Sequence, residues 1–580
     1  MTPQPAQGSP DVRAALAGAR RLDNPAFIRL LVPDPGVAPP MASTPGATGS
    51  VSGTASAIDG MPYAVKDNID VAGVPTTGAC PALTEPALRN ARVIDLLTAA
   101  GAVPIAKTNM DQFATGLVGT RSPYGACHCV DSKEHISGGS SSGSAVAVAA
   151  GVVPFALGTD TAGSGRVPAA LNGIVGFKPT RGLVSTRGLL PACPSLDCVS
   201  VFAQTVSLAG AVNNVLAGFD PEDPWSRRRL SPLPAGVARV MRVVGVPAAQ
   251  IDLDGQHRAA WEAALTRFSG LVRLVPVDVS PMLEAATMLY KSPFVAERLA
   301  AFGSLLEPDG PHLDPTVRRI VLGARDALAE RLYAAQHRLA RLARDVALNT
   351  AGVDAVLLPT TPFHPTLAQV AADPVGVNNR LGTYTNMANL LDLCVVAIPA
   401  GRRPDGLPFG VQLLAPAFAD EPLLDLASVL TGERLPEPSP PLRSGHQLLA
   451  VCGAHLSGEP LNAVLTEAGA RLHRRGRTAA GYRMVRIDGS IPRPGLLDDG
   501  TGPVEGIDIE VWDAPQDLVH QLSVDVRPPL EIGLVRLRDG STIAGFTSNP
   551  SARDAPDISA AGSWRAVHRS DQIRMTTGLG

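Results

Sequence analysis

The sequence runs to 580 residues, several times the usual length of one domain, so more than one core, or one large domain with an accessory, is expected. Apolar residues make up 45%, charged residues 18%, and the formal net charge is −3. That balance describes a soluble globular protein without the basic excess that phosphate backbones attract, so nucleic acid is not an expected partner.

The N-terminal MTPQPAQGSPDVRAALAGARR lacks the apolar core of a signal peptide. The longest apolar run, Ala145 to Leu157, is short for a membrane span and is broken by Pro154, so neither secretion nor membrane contact is expected. Residues 32–60 are rich in Pro, Gly, Ser and Ala and read as a loop or a disordered connection. Order resumes at MPYAVKDNIDVAGVPTT, where β-branched and apolar residues around Lys66 predict a strand followed by turns. ARVIDLLTAAGAVPIAKTNMDQF then predicts a helix ending at Gly101 and a strand over Ala102 to Ala106.

This α/β alternation continues to about residue 432, with strands at DAVLLPTTP and CVVAIPAG and a long helical pattern from Val317 to Leu348. ERLPEPSPPLRSGH, with four prolines, reads as a linker over residues 433–446. Residues 447–580 hold short β-like segments between Gly and Pro turns, plus a helix at LNAVLTEAGARL, and predict a small α+β unit. Seven scattered cysteines read as reduced cytosolic thiols. Cys127 and Cys129 lack a second ligand pair at zinc spacing, so no metal is expected.

A Gly/Ser run such as ISGGSSSGSA is by itself a linker signature. Here it leads straight into an apolar stretch, where Ser144 is a candidate N-cap, Ala145 to Ala150 suit a buried helix and Val152 to Leu157 a buried strand. A second polar cluster, GTDTAGSGR, sets Ser164 between two glycines. Gly158 and Gly163 have phosphate-loop spacing, but Ser164 follows where that loop needs lysine. Nucleophilic catalysis fits better: a serine hydroxyl needs a base, and a lysine desolvated in a cleft loses its proton readily enough to serve. Lys66, at a strand end, is the candidate.

Lys66 in YAVKDNID, Ser140 in GGSSSGSA and Ser164 in DTAGSGR, separated by 74 and 24 positions, resemble the Ser–cisSer–Lys triad of the amidase signature hydrolases. The resemblance implies an α/β amidase-signature fold over residues 1–432, with a large mixed sheet flanked by helices. It implies that Ser164 is the acyl nucleophile, that Ser140, entered by a cis peptide, relays its proton, and that neutral Lys66 is the base. Backbone N–H groups of Thr161, Ala162, Gly163 and Ser164 would form the oxyanion hole. No cofactor is implied.

DQFATGLVGTRSPYG, SLDCVSVFAQT, LYKSPFVAERLA and LGTYTNMANLLDLCVVAIP resemble the allophanate-hydrolysing subgroup of that family, as do Ala162 and Gly165. Allophanate is a small carboxylate, which a planar guanidinium can grip bidentately. The resemblance gives that task to Arg298, with Tyr290 as a second contact and Gly116 lining the pocket. Ser292–Pro293 signals a helix start, placing Tyr290 before the helix and Arg298 inside it. Residues 447–580 resemble the C-terminal domain of the same enzymes, a γ-glutamylcyclotransferase-like fold proposed to decarboxylate the first product. His455 is its candidate polar site, while Tyr482 and Arg483 read as strand residues. Residues 32–60 and Leu518 to Arg527 depart from the family pattern. The implied protein is a cytoplasmic homodimer in urea degradation, fed with allophanate by a separate urea carboxylase. The alternatives are a general amidase, the amidase component of an amidotransferase, and an inactive scaffold of the same fold.

Overall fold

The computed structural model describes residues 12–31, 57–228, 243–307, 310, 312–433, 442–443, 445–489, 492–503, 506–538 and 542–567. Most of the segment read as a loop, 32–56, and most of the linker, 434–441, lie outside the described residues. The described chain divides into two compact units, one built from residues 12–31 and 58–433 and the other from residues beyond 441.

The first unit is organised by thirteen strands: β1 (Phe27–Leu30), β2 (Pro62–Lys66), β3 (Val103–Thr108), β4 (His128–Cys129), β5 (Ser132–Ile136), β6 (Phe155–Asp160), β7 (Val175–Lys178), β8 (Cys198–Ala203), β9 (Val243–Pro247), β10 (Arg273–Val277), β11 (Ala355–Pro359), β12 (Leu393–Arg402) and β13 (Pro408–Pro416). All but the β4–β5 ribbon form one mixed sheet in the order β1-β3-β2-β6-β8-β7-β12-β13-β11-β9-β10. β2, β6, β7 and β8 are buried along their whole length, as continuous Val/Ala/Phe runs require when both faces of a sheet are covered. One such cluster joins Tyr63, Val65, Phe155, Phe177, Val201 and Val396, with Tyr63 and Phe155 stacked at 5.1 Å.

β2 runs parallel to both β3 and β6, with Lys66 opposite Thr108 and Val65 opposite Leu157. Three strands therefore deliver their carboxyl ends, bearing Lys66, Thr108 and Asp160, to one edge, which is where open α/β sheets bind ligands.

Several sequence expectations shift. The serine-rich stretch enters a buried helix, Ser142–Ala149, but Ser144 is inside it rather than its N-cap. The Ser144 hydroxyl donates to Leu157 O at 2.9 Å and lies 2.7 Å from Thr108 Oγ1, tying the helix to β6 and β3. The strand expected at Val152 to Leu157 is Phe155–Asp160, because Pro154 cannot join the ladder. The helical pattern from Val317 to Leu348 breaks into Pro315–Leu322, a 3₁₀ turn at Gly323–Asp326 and Ala329–Asn349, with extended Leu328 opening the last.

The second unit contains β14 (His446–Val451), β15 (Arg471–Arg477), β16 (Tyr482–Ile487), β17 (Arg493–Asp498), β18 (Asp508–Pro515), β19 (Leu530–Arg536) and β20 (Thr542–Ser548). Five form a sheet, β15-β18-β14-β20-β19, and β16 pairs with β17. The predicted helix is Asn462–Glu467, stopped at Gly469, whose φ of +82° suits glycine. A second helix, Gln516–Asp525, covers most of the segment that departs from the family pattern. Leu449, Leu465, Trp512, Val519 and Trp564 form its core.

Candidate active site

Lys66 ends β2 with its side chain fully buried. Its Nζ lies 2.8 Å from Ser140 Oγ and 2.7 Å from Thr159 Oγ1. Burial disfavours the ammonium and lowers its pKa from 10.5 to about 7, against the opposing pull of Asp111, Asp197 and Asp160. A neutral Lys66 can donate one N–H to Thr159 and keep its lone pair for the proton of Ser140. An amine so placed is able to accept a proton at neutral pH.

Ser140 follows a cis Gly139–Ser140 peptide. Asp111 seats this bond: its N–H donates to Ser140 O at 3.0 Å, and its carboxylate collects the N–H groups of Val118, Gly119 and Arg121 at 3.0–3.1 Å. A Cβ on Gly139 would stand 2.1 Å from Asp111 Oδ2, and one on Gly116 2.6 Å from the same atom. Gly116 is thus explained by its approach to Asp111.

Ser164 is buried in the turn after β6. Asp160 shapes that turn by accepting Gly163 N–H at 2.9 Å and Gly165 N–H at 3.0 Å, while Arg166 grips the same carboxylate through Nε at 2.9 Å and Nη2 at 3.0 Å. Burial alone would raise the Asp160 pKa, but Arg166 and these donors hold it below the usual range. Removing either partner of so buried a pair costs about 3–5 kcal/mol. Gly163 N–H is therefore engaged with Asp160 and does not face the cleft as an oxyanion donor. The N–H groups of Thr161 and Ala162 have no acceptor among the described residues, although both residues are 2% exposed. Buried, unpaired backbone donors are rare, and they suit a ligand oxygen.

Arg298 is buried, 1% exposed, and its Nη1 reaches Thr115 Oγ1 at 3.1 Å and Ala114 O at 3.4 Å. It makes no ion pair among the described residues. Burial works against its charge, but Cys193, Tyr290, Asp197 and Glu297 together outweigh burial and raise its pKa. Arg298 lies in the helix Ala296–Phe302 as expected, whereas Tyr290 belongs to a preceding helix, Ser280–Lys291, that ends as Ser292 turns extended before Pro293. Glu297 fastens the Arg298 helix to the neighbouring loop through Ser195 N–H and Oγ, both at 2.7 Å.

Asp111, Asp160, Thr159 and Asp197 carry no role in the sequence motifs. Each lies beside apolar residues, and a carboxylate or hydroxyl buried there is tolerated only if donors satisfy it. That signal was present in TNMDQF, GTD and SLDC. Cys127 and Cys129 are buried thiols whose pKa values burial raises to about 12 and about 11, with Sγ groups donating to Pro25 O and Leu171 O.

In the second unit His455 stacks on Phe546 at 4.5 Å and lines a small cavity with Arg493, Pro494, Leu530 and Phe546. Burial, then Arg493, pushes its pKa down to about 4, so it is neutral at pH 7. Arg483 pairs with Asp499 at 3.0 Å, and Tyr482 Oη accepts Arg536 N–H at 2.9 Å. Both are structural members of β16.

A buried lysine on a cis-linked serine, and a second serine in the glycine turn after a neighbouring strand of the same mixed sheet, are the arrangement expected of an amidase-type hydrolase. The amidase family model matches residues 41–424, and the chain belongs to that family. The model of the allophanate hydrolase C-terminal domain matches residues 447–569. Urea amidolyase of Saccharomyces cerevisiae is 40% identical over 87% of this chain, which spans 29% of that relative's length. Urea amidolyase of Lachancea kluyveri is likewise 40% identical, over 84% of this chain and 28% of its own. Allophanate hydrolase of Kluyveromyces lactis superposes with a TM-score of 0.67 and 35% identity, covering 96% of this chain and 97% of that one. The large mixed sheet and the separate C-terminal domain are thus those of a known class.

Proposed function

We propose that the protein hydrolyses allophanate to ammonia and N-carboxycarbamate through an acyl-enzyme on Ser164. Lys66 takes the Ser140 proton, Ser140 takes that of Ser164, and the freed oxygen attacks the urea carbonyl. The N–H groups of Thr161 and Ala162 receive the oxyanion. Its collapse breaks the C–N bond, and the proton returns through Ser140 to the departing ammonia. Water, deprotonated by the same relay, then releases the dianionic product.

One observation carries the choice of substrate: a fully buried guanidinium that meets only neutral acceptors beside the triad. Its neighbours keep it charged, and a substrate carboxylate would accept from the donors that Thr115 and Ala114 leave free. Tyr290 and Gly116 are the further contacts proposed for it. The experiment is ammonia release from allophanate set against glutamine, malonamate and aliphatic amides. Faster release from glutamine or aliphatic amides would favour a general amidase or an amidotransferase component, and no release from any would favour a binding scaffold.

The pH dependence has a definite sign. Below about pH 7 Lys66 gains a proton and cannot act as base, so kcat/KM should fall about tenfold per pH unit on the acid side, and a profile flat to pH 5 would exclude the relay. The unfolded chain holds that proton up to about 10.5, so Lys66 also makes the fold more stable as pH rises from about 7 towards 10.5.

The C-terminal unit, with neutral His455 beside Arg493, is proposed to act on N-carboxycarbamate. His455→Asn in the full chain should slow release of the second ammonia by about 10- to 100-fold and leave the first unchanged. Both releases unchanged would make His455 structural. No helix among the described residues is long and apolar enough to cross a membrane. A cytoplasmic homodimer, linked in function to a urea carboxylase, completes the proposal.

A further inference from the structure

The peptide joining Asp160 to Thr161 is clamped from two sides by residues far away in sequence. Its carbonyl oxygen accepts Asn389 Nδ2 at 2.8 Å. A trans peptide carries its N–H opposite its C=O, so this contact also sets the direction of Thr161 N–H. On the other side, Thr161 Oγ1 donates to Asp197 Oδ1 at 2.5 Å. Asp197 is itself fixed, its Oδ2 accepting Ala192 N–H at 2.8 Å and Cys193 N–H at 3.1 Å.

The two clamps are joined. Asn389 Nδ2 also donates to Leu196 O at 2.9 Å, in the residue next to Asp197, and Asn389 Oδ1 accepts Arg166 Nη2 at 3.3 Å. Asn389 is fully buried and Asp197 is 6% exposed, so water competes little for these bonds. Thr161 N–H meanwhile has no acceptor of its own among the described residues. Holding an unpaired donor rigid is what an oxyanion site requires, since a donor that must reorient during the reaction loses most of its effect.

We infer that Asp197 and Asn389 are positioning residues that brace the Asp160–Thr161 peptide, so that Thr161 N–H points to where charge develops during acyl transfer. The inference rests on the proposed acyl-enzyme at Ser164. The brace acts on the transition state more than on bound substrate, so its loss should appear in kcat and spare KM.

Thr161→Val keeps the side chain's shape and removes the hydroxyl that Asp197 holds. It should lower kcat by about 10- to 100-fold, short of the loss from deleting an oxyanion donor outright, with KM within about twofold. Thr161→Ser restores the hydroxyl and should recover kcat to within about threefold. The double variant Thr161→Val/Asp197→Asn should be no slower than Thr161→Val alone, as expected when both substitutions cut one contact. A Thr161→Val enzyme with wild-type kcat, or one affected only in KM, would overturn the brace. Failure of Thr161→Ser to recover would do so too. Ser164→Ala, run alongside, separates this from the reading beneath it. Full activity there would remove the acyl-enzyme, whereas an inactive Ser164→Ala with a normal Thr161→Val would remove the brace alone.

Discussion

Replacing Ser164 with alanine should lower ammonia release from allophanate by about 10⁴- to 10⁶-fold while leaving circular dichroism unchanged. The substitution removes one oxygen from a turn whose shape is held by Asp160, Arg166 and backbone groups, none of which bonds to that oxygen. Lys66→Met should produce a loss of similar size, because Ser140 then has no base behind it. The double variant should be no worse than either single one, since a relay broken at one point is broken throughout. Mass spectrometry of the rapidly quenched wild-type enzyme should find the acyl adduct on the peptide containing Ser164. A Lys66→Met enzyme within tenfold of wild type would show that the buried amine is not the base.

The second large effect concerns Arg298. Arg298→Leu should reduce kcat/KM for allophanate by about 30- to 5,000-fold, the equivalent of about 2–5 kcal/mol for truncating one side of a buried charge pair. Arg298→Lys should recover only part of this, because an ammonium cannot present the planar fork. Biuret, in which an amide replaces the carboxylate, provides the control, and its turnover should change little. Among the described residues the guanidinium's hydrogen bonds go to Thr115 Oγ1 and Ala114 O, so Arg298→Leu should lower Tm only by what the loss of those two bonds costs. Equal losses on allophanate and biuret would assign Arg298 to the architecture of the helix instead of to the carboxylate.

Much of the candidate site was legible because its chemistry is written in short local signals. Lys66, Ser140 and Ser164 lie in motifs whose residue types have few other uses in combination, and the α/β alternation around them follows from apolar periodicity. What escaped was long-range. Asn389 meets the carbonyl of Asp160 across 229 positions, and Asp197 meets Thr161 across 36. Asp111 is a single carboxylate whose importance appears only once three N–H groups converge on it. The misplaced Ser144 cap has a similar cause. A serine ahead of an apolar run satisfies the capping rule, but here the helix begins two residues earlier and its hydroxyl is spent on neighbouring strands. Tyr290 was set outside a helix because Ser292–Pro293 marks a boundary without saying that another helix ends there.

The hydrolytic groups stand on adjoining strand ends and the turn beyond one of them, whereas Arg298 and Tyr290 come from two successive helices more than a hundred positions later in the chain. In the proposed function, bond-breaking and choice of cargo thus lie on separate stretches of polypeptide. Exchanging the later stretch should then alter preference while the groups around Lys66 keep working, and grafting experiments could follow the same seam.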